Sequence, residues 1–141
     1  AQLTKAWGIE AAVNWTVGDL FIPDEETGEM ERLPMSHIPP VFGRVASDIE
    51  GRWWTFEWYV LFSSAKDASR FGLYATDNLD LMLATGAPSW WTLNAEFSAK
   101  LHEKLECRFG VRNLLDMHYR VFASGISAAG RGVYISAHAA F

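Results

Sequence analysis

The chain holds a single cysteine, Cys107, among its 141 residues, so an internal disulfide and any paired-cysteine metal or redox motif are excluded. Cys107 reads as an unreactive residue of an apolar face. No apolar run approaches the ~18 residues that a membrane-crossing helix requires. That excludes a helical membrane protein and leaves a strand-built one open, because barrel strands turn every second side chain toward the lumen and give a much weaker hydropathy signal. Positive charge is in deficit too. With 12 Lys and Arg against 17 Asp and Glu, the net charge is −5, the reverse of the basic face that nucleic-acid binders carry, so no nucleic-acid partner is expected.

Catalytic patterns are also missing: there is no nucleophile–base arrangement, glycine-rich phosphate loop or metal-ligand spacing. Neither an enzyme nor a bound cofactor is expected. His37, His102, His118 and His138 are scattered over different strands and turns and point to no haem or metal site. Residues 1–5, AQLTK, lack the basic n-region and apolar h-region of a signal peptide. An exported chain without them is processed or incomplete, and the immediate opening into a strand favours incomplete.

What the chain does have is tryptophan, 7 in all, within a composition that is 50% hydrophobic. Its length suits one domain. Successive side chains of a strand point to opposite faces, so alternation marks half-buried strands. In residues 6–17, Trp7, Ile9, Ala11, Val13, Trp15 and Val17 oppose Gly8, Glu10, Asn14 and Thr16. The weakest pattern, 41–49, sets Val41, Val45 and Ile49 against Arg44 and Asp48, entered through Pro39-Pro40, a position where a strand tolerates proline. In 52–64, Trp54, Phe56, Trp58, Val60 and Phe62 oppose Trp53, Thr55, Glu57, Tyr59 and Ser63. In 90–101, Trp91, Leu93, Ala95, Phe97, Ala99 and Leu101 oppose Thr92, Asn94, Glu96, Ser98 and Lys100. From residue 105, Leu105, Cys107, Phe109 and Val111 oppose Glu106, Arg108, Gly110 and Arg112; this strand is expected to continue, kinked at Asn113-Leu114-Leu115-Asp116, toward Phe122. The last pattern sets Val133, Ile135, Ala137, Ala139 and Phe141 against Gly132, Tyr134, Ser136, His138 and Ala140.

The connections alternate between long and short. Residues 18–37 read as a solvated acidic loop; its Asp24, Glu25, Glu26, Glu29 and Glu31 lack the spacing of a calcium loop. A second long loop covers 65–88, with 79–84 readable as a short helix or a strand, and a third covers 123–130. Tight turns fall at Glu50-Gly51 and His102-Glu103-Lys104. In an up-and-down sheet all long loops then share one edge and all tight turns the other, the asymmetry of outer-membrane barrels.

No apolar face carries a charge, but a soluble sandwich would also keep charge off its inner face. Aromatic placement discriminates better. Trp7, Trp15, Trp53, Trp54, Trp90 and Trp91 lie at strand ends, like the aromatic girdles at membrane interfaces. Trp7 to Trp15 spans ~26 Å along a strand; tilted by about 40°, that is about 20 Å of membrane normal, close to the ~25 Å apolar band. The expected fold is therefore all-β: an antiparallel, up-and-down transmembrane β-barrel segment. Its apolar face would meet outer-membrane lipid and lipopolysaccharide. Its mixed face, with Glu10, Arg44, Asp48, Glu57, Glu96, Lys100, Arg108 and Arg112, would either contact material inside a wet lumen or form a balanced ladder of cross-strand pairs.

Several motifs strengthen this. The runs LPMSHIPPVFGRV (33–45), EGRWW (50–54), GAPSWWTLNAEFSAKL (86–101), FGVRNLLDMHYR (109–120) and GRGVYISAHAAF (130–141) occur in order and are spread from residue 33 to residue 141. Together the set resembles the end of TonB-dependent outer-membrane receptors. It departs from their pattern in having Trp90 or Trp91 where a tyrosine is usual and Ala129 where a proline precedes the glycine. The resemblance implies that residues 1–141 supply the six C-terminal strands of a 22-stranded barrel in the outer membrane of a Gram-negative bacterium. A plug domain would fill the barrel, and TonB, contacted through an N-terminal part not present in this sequence, would energise import. The implied substrate is a scarce nutrient bound as a small molecule such as a metal chelate: a ferric siderophore, haem or cobalamin. Val133, Tyr134, Ile135 and Phe141 resemble the terminal signal read by the outer-membrane assembly machinery, and the mixed-face charges become plug or lumen contacts. A smaller passive or structural outer-membrane barrel, and a soluble β-sandwich or lipocalin-like binding module, are the alternatives.

Overall fold

A computed structural model describes residues 6–24, 26–72 and 81–140. Its strands are β1 (Ala6–Asn14), β2 (Asp19–Pro23), β3 (Met30–Pro34), β4 (Phe42–Glu50), β5 (Trp54–Ser63), β6 (Lys66–Asp67), β7 (Gly86–Ala87), β8 (Trp90–His102), β9 (Leu105–Arg112) and β10 (Gly132–Ala139), with one 3-10 turn at Ala68–Arg70. The six long strands form a single sheet in the order β1-β4-β5-β8-β9-β10. Every neighbouring pair is antiparallel, which makes the sheet an up-and-down meander.

Register carries the alternation of each strand across the sheet. Directly opposed residues share a face, so Ile9 continues through Ser47, Trp58, Ala95, Val111 and Val133. Along this face every strand residue is uncharged. Ser47 is its one hydroxyl, and it accepts the Trp7 indole N–H at 2.7 Å, so that neither polar atom is left without a partner. The opposite face collects the charged and polar residues.

Burial is inverted relative to a soluble domain. Thr92 and Asn94, on the polar face, are 2% and 3% exposed, whereas Trp7 and Ile135, on the apolar face, are 69% and 78% exposed. Among the described residues no second layer covers the apolar side, and β1 and β10 do not close on each other. The fold is thus all-β and of the outer-membrane-barrel kind. A sandwich would have shut its tryptophans between two sheets. The strands are also staggered. The row that starts at Ala6, the first residue of β1, passes through Glu50, Thr55, Ser98 and Arg108 and arrives at Ser136, inside β10 rather than at its end. Such a drift accompanies the tilt of strands in a barrel wall.

Three expectations need correction. Residues 18–37 are not a featureless loop but largely a hairpin of β2 and β3, with Leu20 opposite Leu33 and Ile22 opposite Glu31. Pro23 and Pro34 end these short strands, and Gly28 turns the chain at φ 70° with its N–H on the Asp24 carbonyl. β1 stops at Asn14, short of 17, and leaves Trp15 beyond the sheet. β9 stops at Arg112 instead of running on toward Phe122, because Asn113 takes a left-handed φ of 51° and leaves the ladder. Of the 79–84 segment, residues 79 and 80 lie outside the described residues, and Leu83 makes an isolated bridge to Gly86.

Candidate functional site

The polar face is where side chains make specific partnerships. Glu10, Arg44, Asp48, Glu57, Glu96, Lys100, Arg108 and Arg112 all stand on it, as their alternation requires. The sheet aligns Asp48, Glu57 and Glu96 in one row across three adjacent strands. Like charges directly opposite one another repel, and two arginines reduce that repulsion. Arg44 reaches Glu57 at 2.5 Å and Glu10 at 3.5 Å, with its guanidinium 4.6 Å from the Tyr59 ring centre. Arg108 holds Glu106 at 2.8 Å and lies 4.0 Å from Glu96. The Tyr134 hydroxyl donates to Glu96, and Arg112 covers the Tyr134 ring at 4.9 Å. Glu106, Tyr59 and Tyr134 thus join the ladder. Glu106 keeps the period of Arg108 on β9, Tyr59 that of Glu57 on β5, and Tyr134 alternates with the outward Val133 and Ile135 on β10, which is the signal by which the alternation identifies them.

A recess of about 770 Å³ opens above this ladder, lined by Tyr59, Thr92, Asn94, Arg112, Tyr119 and Tyr134 among others. Arg112, Asn113 and Tyr119 bring the FGVRNLLDMHYR run to its wall. Asn113 donates its backbone N–H to Asn94 Oδ1 at 2.9 Å, accepts the Met117 N–H at 2.9 Å and donates to the Met117 carbonyl at 2.9 Å. Asp116 accepts the Arg131 N–H at 2.7 Å, and Tyr119 lays its ring 4.2 Å from that of Trp90. Asn113, Asp116 and Tyr119 are therefore architectural: they fasten the last loop to β8 and to the approach of β10.

On the apolar face the expected ring of tryptophans holds only in part. Trp7 and Trp54 face outward near the tight turns, and Trp91 faces outward near the long loops. Trp53 lies in the turn before β5, and Trp15 past the end of β1. Trp90 stands on the polar face against Tyr119 and does not belong to an outward girdle, since its neighbour Trp91 takes the outward position. In its place register assembles an aromatic row that no single strand reveals: Phe56, Phe97 and Phe109 lie side by side on three strands, level with Trp7. Val133 and Ile135 point outward from β10 while Tyr134 points to the polar side; Phe141 lies outside the described residues.

The long-loop end is tied together by Lys66, which is buried at 8% exposure. Its ammonium donates to the Ile38 carbonyl at 2.6 Å and lies 4.9 Å and 4.2 Å from the ring centres of Phe71 and Phe122. Those rings meet edge to face at 5.5 Å. One buried cation thereby joins segments from three loops, an arrangement that sequence alternation gives no means of finding. On the exposed hairpin, hydrogen bonding to Arg32 lowers the Asp19 pKa, and the Thr27 and Glu26 amides with the Thr27 hydroxyl lower that of Asp24. Asp67 is lowered by the Ser69 hydroxyl and amide. His37, His102, His118 and His138 are not gathered, and among the described residues no group of three or more His, Cys, Asp or Glu side chains is placed to hold a metal.

No family model matches the chain, and no curated protein does. Among solved structures it superposes on the copper transporter OprC with a TM-score of 0.74 at 15% sequence identity, over 99% of this chain and 22% of that one. The likeness is one of fold, and this chain spans about a fifth of the length of that protein.

Proposed function

We propose that this chain is a wall segment of an outer-membrane transport barrel of the TonB-dependent kind in a Gram-negative bacterium. The observation that carries the reading is the bare, charge-free face that runs unbroken over six strands while the polar face holds the most buried side chains. Water does not favour that arrangement, because each exposed apolar side chain forgoes ~1.5–3 kcal/mol of burial. Hydrocarbon does favour it, since charge there costs ~2–4 kcal/mol per misplaced Lys or Arg. The free edges of β1 and β10 would then pair with further strands, because unpaired backbone groups are not tolerated in lipid. The mixed face would line the lumen and meet a plug domain, with TonB acting through a separate part of the protein. The OprC likeness, to a transporter, supports an uptake role without fixing the cargo.

Ferric siderophore, haem or cobalamin is the cargo class implied by the motifs. A copper cargo is the second reading, favoured by the placement of every methionine, Met30, Met35, Met82 and Met117, away from the six-stranded sheet, in the β2–β3 hairpin and the loops. Thioether sulfur suits Cu(I). Tryptophan quenching by lipids brominated in mid-chain tests the wall: Trp58 should be strongly quenched and Trp90 spared, and equal quenching would reject the face assignment. Metal uptake by cells with and without the protein, measured for iron chelates and for copper, separates the cargoes. Loss of accumulation on collapsing the inner-membrane proton gradient is expected if TonB drives it.

A further inference from the structure

The terminal strand β10 presents a register problem. Its outward residues Val133, Ile135, Ala137 and Ala139 face Val111, Phe109, Cys107 and Leu105. A slip of one residue would turn every side chain to the wrong face, but a slip of two keeps apolar against apolar. The outward face therefore cannot choose between registers two residues apart. Nor does a tight turn choose for it, because residues 113–131 separate the two strands, whereas β8 and β9 are joined through Glu103-Lys104.

The choice is made on the polar face. Gly110 is directly opposite Tyr134. A Cβ at position 110 would overlap the Cζ edge of the Tyr134 ring, so the ring lies in the space that a side chain would need. From there the Tyr134 hydroxyl crosses the whole of β9 and donates to Glu96 on β8, and Arg112 covers the ring at 4.9 Å. Two residues either way, Tyr134 would face Arg108 or Arg112, each with a side chain where Gly110 has none. We infer that Tyr134, laid across Gly110 and anchored on Glu96, is the element that selects the register of the last strand. It acts as a lock spanning three strands. The ties of Asp116 to the Arg131 N–H and of Asn113 to the Ala129 carbonyl hold the base of the loop outside the ladder; a two-residue slip would break them as well, so they add to the lock without replacing it.

The native Cys107 supplies the assay, since it is directly opposite Ala137. Directly opposed strand residues have Cα separations of about 4.5–5.5 Å, within disulfide range. In an otherwise unchanged chain, Cys107 should oxidise to the thiol of Ala137→Cys and not to that of Ile135→Cys or Ala139→Cys. Adding Tyr134→Ala or Gly110→Val should lower the yield at 137 at least about tenfold and create a bond at 135 or 139. Tyr134→Phe, which keeps the ring over Gly110, should retain the bond at 137. Tyr134→Leu replaces the alanine variant if that one does not assemble. Bonding that stays confined to position 137 in both the Tyr134→Ala (or Leu) and Gly110→Val backgrounds overturns the lock. The readout needs only the folded sheet, in membranes or in detergent, so it stands or falls separately from the transport reading.

Discussion

The two faces of the six-stranded sheet are held by different physics. The apolar face has one specific polar contact, Trp7 to Ser47, and otherwise presents side chains that are interchangeable so long as they carry no charge. The polar face is made of particular partnerships: Arg44 with Glu57 and Glu10, Arg108 with Glu106, Tyr134 with Glu96, Asn94 with Asn113. A face defined by its solvent tolerates many sequences and is broken by one charge. A face defined by partners tolerates charge and is broken by the loss of a buried hydrogen bond.

The widest separation between the faces should come from arginine scanning. Val60→Arg, outward between Val45 and Leu93, should destabilise the barrel in lipid by ~2–4 kcal/mol. Thr55→Arg, on the polar face opposite Glu50, should stay within about 0.5 kcal/mol of the parent. Urea unfolding in vesicles, followed by tryptophan fluorescence, measures both, and equal losses would erase the distinction. Next comes Asn113→Ala, which removes the buried side-chain bonds to Met117 and leaves alanine at a φ of 51°. A loss of about 2 kcal/mol is expected, with faster proteolysis within residues 113–131. Asn113→Gly should lie between the two, since it relieves the backbone and not the lost bonds.

Smaller still is the charge ladder. Arg44→Met paired with Glu57→Gln in a double-mutant cycle should give a coupling of at most about 1 kcal/mol, because both side chains are partly solvated. A coupling of several kcal/mol would mean that this face is as dry as the other. The least effect belongs to the exposed loop carboxylates. Asp24 and Asp67 have pKa values lowered in the folded chain by hydrogen bonds from Thr27 and Ser69. A lowered value means that the ordering is fully present above the ordinary aspartate value of 3.8 and is lost as pH falls through the folded value below it. Amide exchange at Thr27 and Ser69 should therefore be slow at neutral pH and accelerate, relative to the unfolded chain, only below that range. A loss of protection centred near neutral pH would contradict the assignment.

Much of the sheet can be read from the residues because its signals are local. Alternation in β1, β5, β8, β9 and β10 needs nothing beyond each strand itself, and the lumen-side charges Glu57, Glu96 and Arg108 fall on the correct face by counting in twos. Local signals fail where a distant partner decides. The short β2 and β3 acquire order by pairing with each other across Thr27-Gly28, and each alone reads as loop. Asn113 ended β9 early because its amide is claimed by Asn94 on the neighbouring strand. Trp90 and Trp91 are adjacent and chemically alike; alternation within β8 puts Trp91 outward with Leu93 and Ala95, and only the tertiary contact with Tyr119 shows what holds Trp90 on the other side.

The sequence by itself determined that the chain is all-β, which residues share a face, and at which end the long connections gather, because a strand's period of two is a property of its own backbone. Tertiary structure alone decided which residues meet: the aromatic row of Phe56, Phe97 and Phe109, the carboxylate row of Asp48, Glu57 and Glu96, the buried Lys66, and Tyr134 lying over Gly110. Register is a relation between strands, and no pattern within one strand encodes its offset from the next.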